Sequence, residues 1–228
     1  MRRLLRYVTA GAALAILVAV VLGFGGAALI AADADVLVTH ETTKAMQTGV
    51  TSLALHYEYR LSLTTSGQQL RTVIWSKFPM SAGALMLEDQ IEPTGAMAMV
   101  DLGGGREALI VGLHLAHSAV GNQEVQIRAL GTLLDGRPHP RILLGDFNAT
   151  PWSWAMHQVA ELSETQRVPG YRITWAGAYP SFAGDIPAPI GQPIDHILVS
   201  PDMGVQSVET LDIPGSDHLA VKATLLIP

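Results

Sequence analysis

RILLGDFNATP (residues 141–151) joins a strand-like apolar run to a turn that holds an acid and an amide two positions apart. Arg141–Leu144 is extended in character. Gly145, Asp146 and Asn148 are all residues that favour turns. Asn148-Ala149-Thr150 also fits a glycosylation sequon, but Pro151 follows it directly and makes a poor acceptor site. Alternation along a strand sends Asp146 and Asn148 to one side and Phe147 to the other, into the core. The turn therefore aims two polar side chains at one point, which is the arrangement of an active-site edge.

Other apolar runs also meet a polar side chain at one end. Glu41 follows DVLVTH, His114 lies in IVGLHL, Asp195 opens DHILVS, and Asp217-His218 opens DHLAV. Each alone reads as a cap, a turn residue or a core histidine. Together they supply hard oxygen ligands, an imidazole acid or base, and an amide donor. That inventory suits metal-assisted hydrolysis.

GDFN (145–148), IDHILVS (194–200) and SDHLAV (216–221), in that order, resemble the endonuclease/exonuclease/phosphatase superfamily. DADVLVTHE (33–41), RTVIWSKFPM (71–80) and VGLHLAHS (111–118) resemble further segments of it. The resemblance implies an α/β fold, a four-layer αββα sandwich of the DNase I-like kind, and metal-dependent phosphoesterase chemistry. It implies Glu41 and Asp217 as ligands or helpers of Mg²⁺, with Mn²⁺ or Ca²⁺ as other candidates. Asp146 would orient or deprotonate the attacking water, and Asn148 and His114 would donate to phosphoryl oxygens. His218 would face the scissile phosphate, oriented by Asp195. The neighbouring His40, His117 and His196 are expected to be structural, because adjacent strand residues point to opposite faces.

The N-terminal segment reads differently. Arg2, Arg3 and Arg6 precede 26 uncharged positions, Tyr7–Ala32. A spanning helix needs about 20 apolar residues, and the basic flank predicts an inside N-terminus. The expectation is a single-pass membrane anchor over residues 1–32, with the stretch 24–32 open to being the domain's first helix, and an exported domain over 33–228. A cleaved signal peptide and secretion is the alternative. Relatives in the superfamily begin with a strand bearing an Asn. Here the asparagines are Asn122 and Asn148, and neither precedes Glu41. The sandwich is therefore expected to be N-terminally truncated, lacking its first strand and preceded by an apolar helix.

Composition narrows the functions. The chain has 228 residues, 49% hydrophobic, with a mean hydropathy of +0.30, enough for a sizeable core. It has no cysteine, which excludes disulfides, zinc–thiolate centres and thiol nucleophiles. Net charge is −6, and becomes −9 once the three N-terminal arginines are set aside (11 basic, 20 acidic). That balance disfavours a tight sequence-independent DNA binder. It leans toward small or lipid phosphate esters, although nucleic acid stays open through local cations such as Arg71, Lys77, Arg106 and Arg172. No G-x-S-x-G is present, so a lipase-type serine hydrolase is disfavoured. The reading is a membrane-tethered phosphodiesterase or phosphomonoesterase; the alternative is an inactive binding domain of the same fold.

Overall fold

The computed structural model describes residues 12–20, 25–42, 47–65, 68–85, 95–118, 122–170, 172–179, 186–187 and 191–228. Its elements run β1 (Ala12–Val20), α1 (Gly26–Ala31), β2 (Val36–Thr42), α2 (Gln47–His56), β3 (Tyr59–Thr65), β4 (Gln68–Ser76) and β5 (Met80–Leu85). The hairpin β6 (Gly95–Gly103) and β7 (Arg106–His114) follows, then α3 (Gln123–Leu134), β8 (Arg141–Asp146) and α4 (Trp154–Leu162). The remainder is β9 (Gln166–Arg167), β10 (Ala178–Tyr179), β11 (Ile186–Pro187), β12 (Asp195–Val199), β13 (Gly204–Asp212) and β14 (Leu219–Ile227).

Two six-stranded mixed sheets result, ordered β13-β14-β1-β2-β4-β3 and β5-β6-β7-β8-β12-β9. Side-chain alternation divides the core into three layers. Ile16, Val18, Val38, Ile74, Ile110, Leu144 and Ile197 fill the space between the sheets. Leu17, Leu37 and Trp75, on the opposite face of the first sheet, pack with Leu29 of α1 and Leu53 of α2. Leu109, Val111, Leu143 and Leu198 cover the second sheet's outer face against Ile127 and Leu130 of α3 and Val159 of α4. The order of layers is helix, sheet, sheet, helix, as expected for the αββα sandwich.

The N-terminal expectation is overturned. Among the described residues no helix is long and apolar enough to cross a membrane. Ala12–Val20, the centre of the run expected to span, is an interior strand, antiparallel to β14 and parallel to β2. The sandwich thus has its first strand, and the single-pass anchor and the apolar helix give way to it. A signal peptide would draw its apolar core from this same strand. The physical reason is burial on both faces: Leu14, Ile16 and Val18 point into the inter-sheet core, while Leu17 and Ala19 point toward the α1/α2 layer. Such a strand reads as an unbroken apolar run, and periodicity cannot tell it from a span. Residues 1–11 lie outside the described residues.

Candidate active site

The inter-sheet rows end in polar residues on one side of the sandwich. Along β8, Ile142 and Leu144 are followed by Asp146. On β12, Val199 and Ile197 lead back to Asp195. On β7, Ile110 leads through Gly112 to His114, and on β2, Val38 leads to His40. Register brings these together. Asp195 is the cross-strand partner of Asp146, and His114 pairs with Asp146 from the other side. Gly145 is required for that approach: a Cβ there would overlap the carbonyl oxygen of Leu113.

Asp146 is buried. Its Oδ1 accepts a hydrogen bond from the Asn148 backbone N–H at 2.8 Å. Asn148 adopts φ 47°, a left-handed conformation that Asn tolerates. Its Nδ2 donates to Leu115 O at 2.8 Å and lies 3.5 Å from Asp146 Oδ2. Gln123 secures the turn from α3, donating from Nε2 to Ala116 O, Phe147 O and Asn148 O. Phe147 is fully buried on the α3/α4 side, as alternation predicts.

His218 Nδ1 lies 2.8 Å from Asp195 Oδ2, and both side chains are buried. The segment around Thr174 and Trp175 holds this pair in place. Thr174 Oγ1 accepts from the backbone N–H groups of Ile194 and Asp195, each at 3.1 Å. Thr174 O accepts from Leu219 N–H, and Trp175 bridges to both Gln192 and His218. Trp175 Nε1 donates to Asp217 Oδ2 at 3.2 Å. On the other flank, His114 Nε2 is 3.7 Å from both Glu41 Oε1 and Asp146 Oδ2. Glu41 has φ 54° and is half exposed, so its carboxylate reaches out from the end of β2.

Electrostatics divide the groups. Burial pushes the Asp146 carboxyl well above the usual carboxylate range, and the neighbouring Asp195 charge adds to it. Burial pulls the His218 imidazole down, but the hydrogen bond and charge of Asp195, with Asp146 and Asp217, overcome this and raise it to about 9. Burial, followed by the nearby His114 and His218, lowers His40 well below its ordinary value. Burial lowers His196 to about 4.

The seven residues expected at the site lie along this one edge. Asp146, Asn148, His114 and Glu41 are linked on one flank, and Asp195, His218 and Asp217 on the other. His196 faces the α3/α4 layer with Nε2 2.8 Å from Ala149 O, a structural bond. His40 is different, since it lies in the inter-sheet row beside His114, with ring centroids 5.7 Å apart. Thr174, Trp175 and Gln123 were not legible beforehand. Two sit in or beside an aperiodic stretch, and a helix-borne Gln carries no signal of its role. The cations considered for a groove do not all gather here. Lys77 pairs with Asp33, Arg106 stands at the far end of β7, and Arg172 binds the carbonyls of Pro169 and Val208. The Arg71 side chain lies outside the description.

The donor atoms of Asp146, Asp195 and His218 lie within 4.8 Å of one another. His218 Nδ1 and Asp195 Oδ2 are bonded to each other, so a cation held by this trio would draw on their remaining donor atoms. The oxygen-rich flank of Glu41 and Asp146 has the chemistry of a hard divalent cation site.

The family model described as Endonuclease/Exonuclease/phosphatase family matches residues 8–218. The chain belongs to that family. Comparison with curated protein sequences finds no match. Solved structures agree on the fold. An endonuclease/exonuclease/phosphatase family protein from Bacteroides thetaiotaomicron is 16% identical with a TM-score of 0.72, over 96% of this chain and 99% of that one. A mannosyl-6-phosphatase from the same species is 16% identical with a TM-score of 0.69, over 94% and 100%. A mutant beta toxin from Staphylococcus aureus, with bound magnesium ions, is 14% identical with a TM-score of 0.67, over 93% and 99%. At such identities the likeness speaks for the fold.

Proposed function

We propose that the chain is a metal-dependent phosphoesterase whose active site is the polar edge between the two sheets. The observation that carries this reading is the buried Asp195–His218 pair facing Asp146, which in turn shares His114 with Glu41. Family membership supports phosphoester hydrolysis as the reaction class. The magnesium-bound structural neighbour supports a divalent cation.

In this reading Glu41 holds the cation together with the Asp146 flank, and Asp217 assists from the other side. A divalent cation there would neutralise charge on the phosphoryl group. Asp146 orients the attacking water and accepts its proton, for which its raised affinity for protons suits it. The Asn148 amide is fixed by Leu115 O, and its other N–H, held only by a long 3.5 Å contact to Asp146 Oδ2, would turn to the phosphoryl oxygens. His218 keeps Nδ1–H on Asp195, leaving Nε2 to hold a proton facing the phosphate. As an imidazolium it stabilises charge as the transition state develops and gives its proton to the leaving oxygen. His114 adds a second imidazole donor. Chemistry of this kind rests on positioning and charge rather than on a covalent nucleophile.

The test is hydrolysis of bis(p-nitrophenyl) phosphate and p-nitrophenyl phosphate with and without EDTA. Metal-dependent turnover of either substrate, lost in His218→Ala, is the expected result. Comparing the two separates diesterase from monoesterase action. Absence of turnover with any of Mg²⁺, Mn²⁺ or Ca²⁺ would favour the binding-domain alternative.

A further inference from the structure

Two guanidinium groups meet at the side of the sandwich where the edge strands β9 and β13 lie, and the roles above use neither. Arg167 closes β9, opposite Leu198 of β12. Its Nη1 donates to Gly170 O at 2.7 Å. Arg172 follows, with Nη1 donating to Pro169 O at 3.0 Å and Nη2 to Val208 O of β13 at 2.8 Å. Gly170 is where the two come together. Its carbonyl holds Arg167, and a Cβ on it would overlap the Arg172 guanidinium. Among the described residues, the lysine and arginine side chains in ion pairs are Lys77, Arg128 and Lys222, so neither Arg167 nor Arg172 has a carboxylate partner.

Like charges drawn together repel unless something negative lies between them. Burial, and after it the charge of Arg172, lowers the pKa of Arg167. Tying the two sheet edges together accounts for Arg172, which reaches across to β13. It does not account for a second guanidinium held against the same glycine. The carbonyls that hold the two groups are neutral, so they fix the forks and leave the charge. They also leave donors over: a guanidinium has five N–H groups, and these bonds take one from Arg167 and two from Arg172. Both arginines line one half-open cavity, with Gly170, Asp195, Val208 and Val221 among its walls. It offers about 20 Å³ to the centres of water-sized atoms, which suits a compact oxyanion and not a ring. Asp195, the acid in the lining, is already paired with His218.

We propose that Arg167 and Arg172 form an oxyanion site that takes a phosphoryl group, either a second phosphate carried by the substrate or free phosphate. Planar guanidinium forks match phosphate oxygens two at a time, and here both forks are fixed in advance by backbone carbonyls. The cavity shares Asp195 with the reacting centre. Arg172 also lies two residues before Thr174, whose hydroxyl accepts from Asp195 N–H. An anion clamped there thus bears on the segment that steadies the Asp195–His218 pair. The site goes beyond the hydrolytic reading and is not needed by it.

NMR titration of the metal-free full chain with inorganic phosphate, at constant ionic strength and in EDTA, tests this. The Nε–H signals of Arg167 and Arg172 should shift and saturate in wild type and in His218→Gln alike. In Arg167→Gln the Kd read from the Arg172 signal should rise about 10-fold or more, and Arg172→Gln should do the same to the Arg167 signal. Arg167→Lys, which keeps the charge and loses the fork, should fall between. Arg172 also links the sheets, so Arg167→Gln decides the matter if Arg172→Gln does not fold. Arginine signals that phosphate leaves in place, or a Kd unchanged in Arg167→Gln, would overturn the proposal. Steady-state hydrolysis of hexanediol bisphosphate and hexyl phosphate with Mg²⁺ or Mn²⁺ then separates the two sources. A KM for the bisphosphate that rises relative to that for the monophosphate in Arg167→Gln assigns the site to a second phosphate of the substrate. An unchanged ratio beside weakened phosphate binding assigns it to free phosphate. Arginine-dependent phosphate binding without hydrolysis would leave this site standing and defeat the phosphoesterase reading. Hydrolysis without such binding would do the opposite.

Discussion

His218 Nδ1 sits 2.8 Å from Asp195 Oδ2, and Trp175 forms an antiparallel bridge with His218. The carboxylate fixes the ring and holds its proton. Asp195→Asn should therefore lower the His218 pKa from about 9 toward the ordinary value of about 6.5. NMR titration of the His218 ring protons in metal-free protein measures this directly. Turnover should fall by roughly 10²–10⁴-fold with a smaller effect on KM. An unchanged His218 titration would mean that Asp195 does not control the imidazole.

The same pair makes stability depend on pH. The folded state binds the His218 proton more tightly than the unfolded state does. Its contribution is fully present below the unfolded pKa of about 6.5 and is lost as pH rises through about 9. The size is on the order of 3 kcal/mol for this buried group. Asp146, also raised, acts in the same direction at lower pH, because its folded form likewise holds its proton longer. Urea unfolding in EDTA from about pH 6 to about pH 9.5 should show a steeper loss in wild type than in His218→Gln. Parallel curves would contradict the assignment.

Thr174 is a positioning residue on the same flank. Its hydroxyl accepts from two buried N–H groups that bracket the start of β12. Thr174→Val removes the acceptor and keeps the shape. It should cost about 1–3 kcal/mol in denaturant unfolding and lower kcat more than KM, with the His218 titration shifted. A stability loss with kcat and the titration untouched would make Thr174 structural only.

Strand β1 carries its own prediction. Ile16 is fully buried between β14 and β2. Ile16→Ala should destabilise the fold by about 2–5 kcal/mol, and removing residues 1–20 should leave no cooperative unfolding transition. A stable, active fragment lacking β1 would contradict its interior position.

The polar strand ends were legible in the sequence because each interrupts an apolar run, and those of β7, β8 and β12 do so at the parity of the inter-sheet rows. Asp146 and Asp195 continue the rows of Leu144 and Ile197, and local alternation is enough to place them. β1 was not legible, since a strand buried on both faces has no alternation to read. β5 also escaped notice; MSAGAL is made largely of small residues. β13 is an edge strand with no fully buried residue and little apolar pattern. The parity of His40 and Glu41 is instructive. Alternation does separate them, but His40 is the one on the inter-sheet face, and Glu41 reaches the site through a left-handed turn. Thr174 and Trp175 depend on pairing with Gln192 and the start of β14, which no local pattern encodes.

The most direct test of the central claim is steady-state hydrolysis of the two p-nitrophenyl phosphate esters by wild type, Asp146→Ala and His218→Ala, with Mg²⁺ or Mn²⁺ and after EDTA. Metal-dependent turnover in wild type that falls at least about 10²-fold in each variant, with circular dichroism unchanged, is the predicted result. Turnover that is insensitive to EDTA, or that survives both substitutions, would contradict the account.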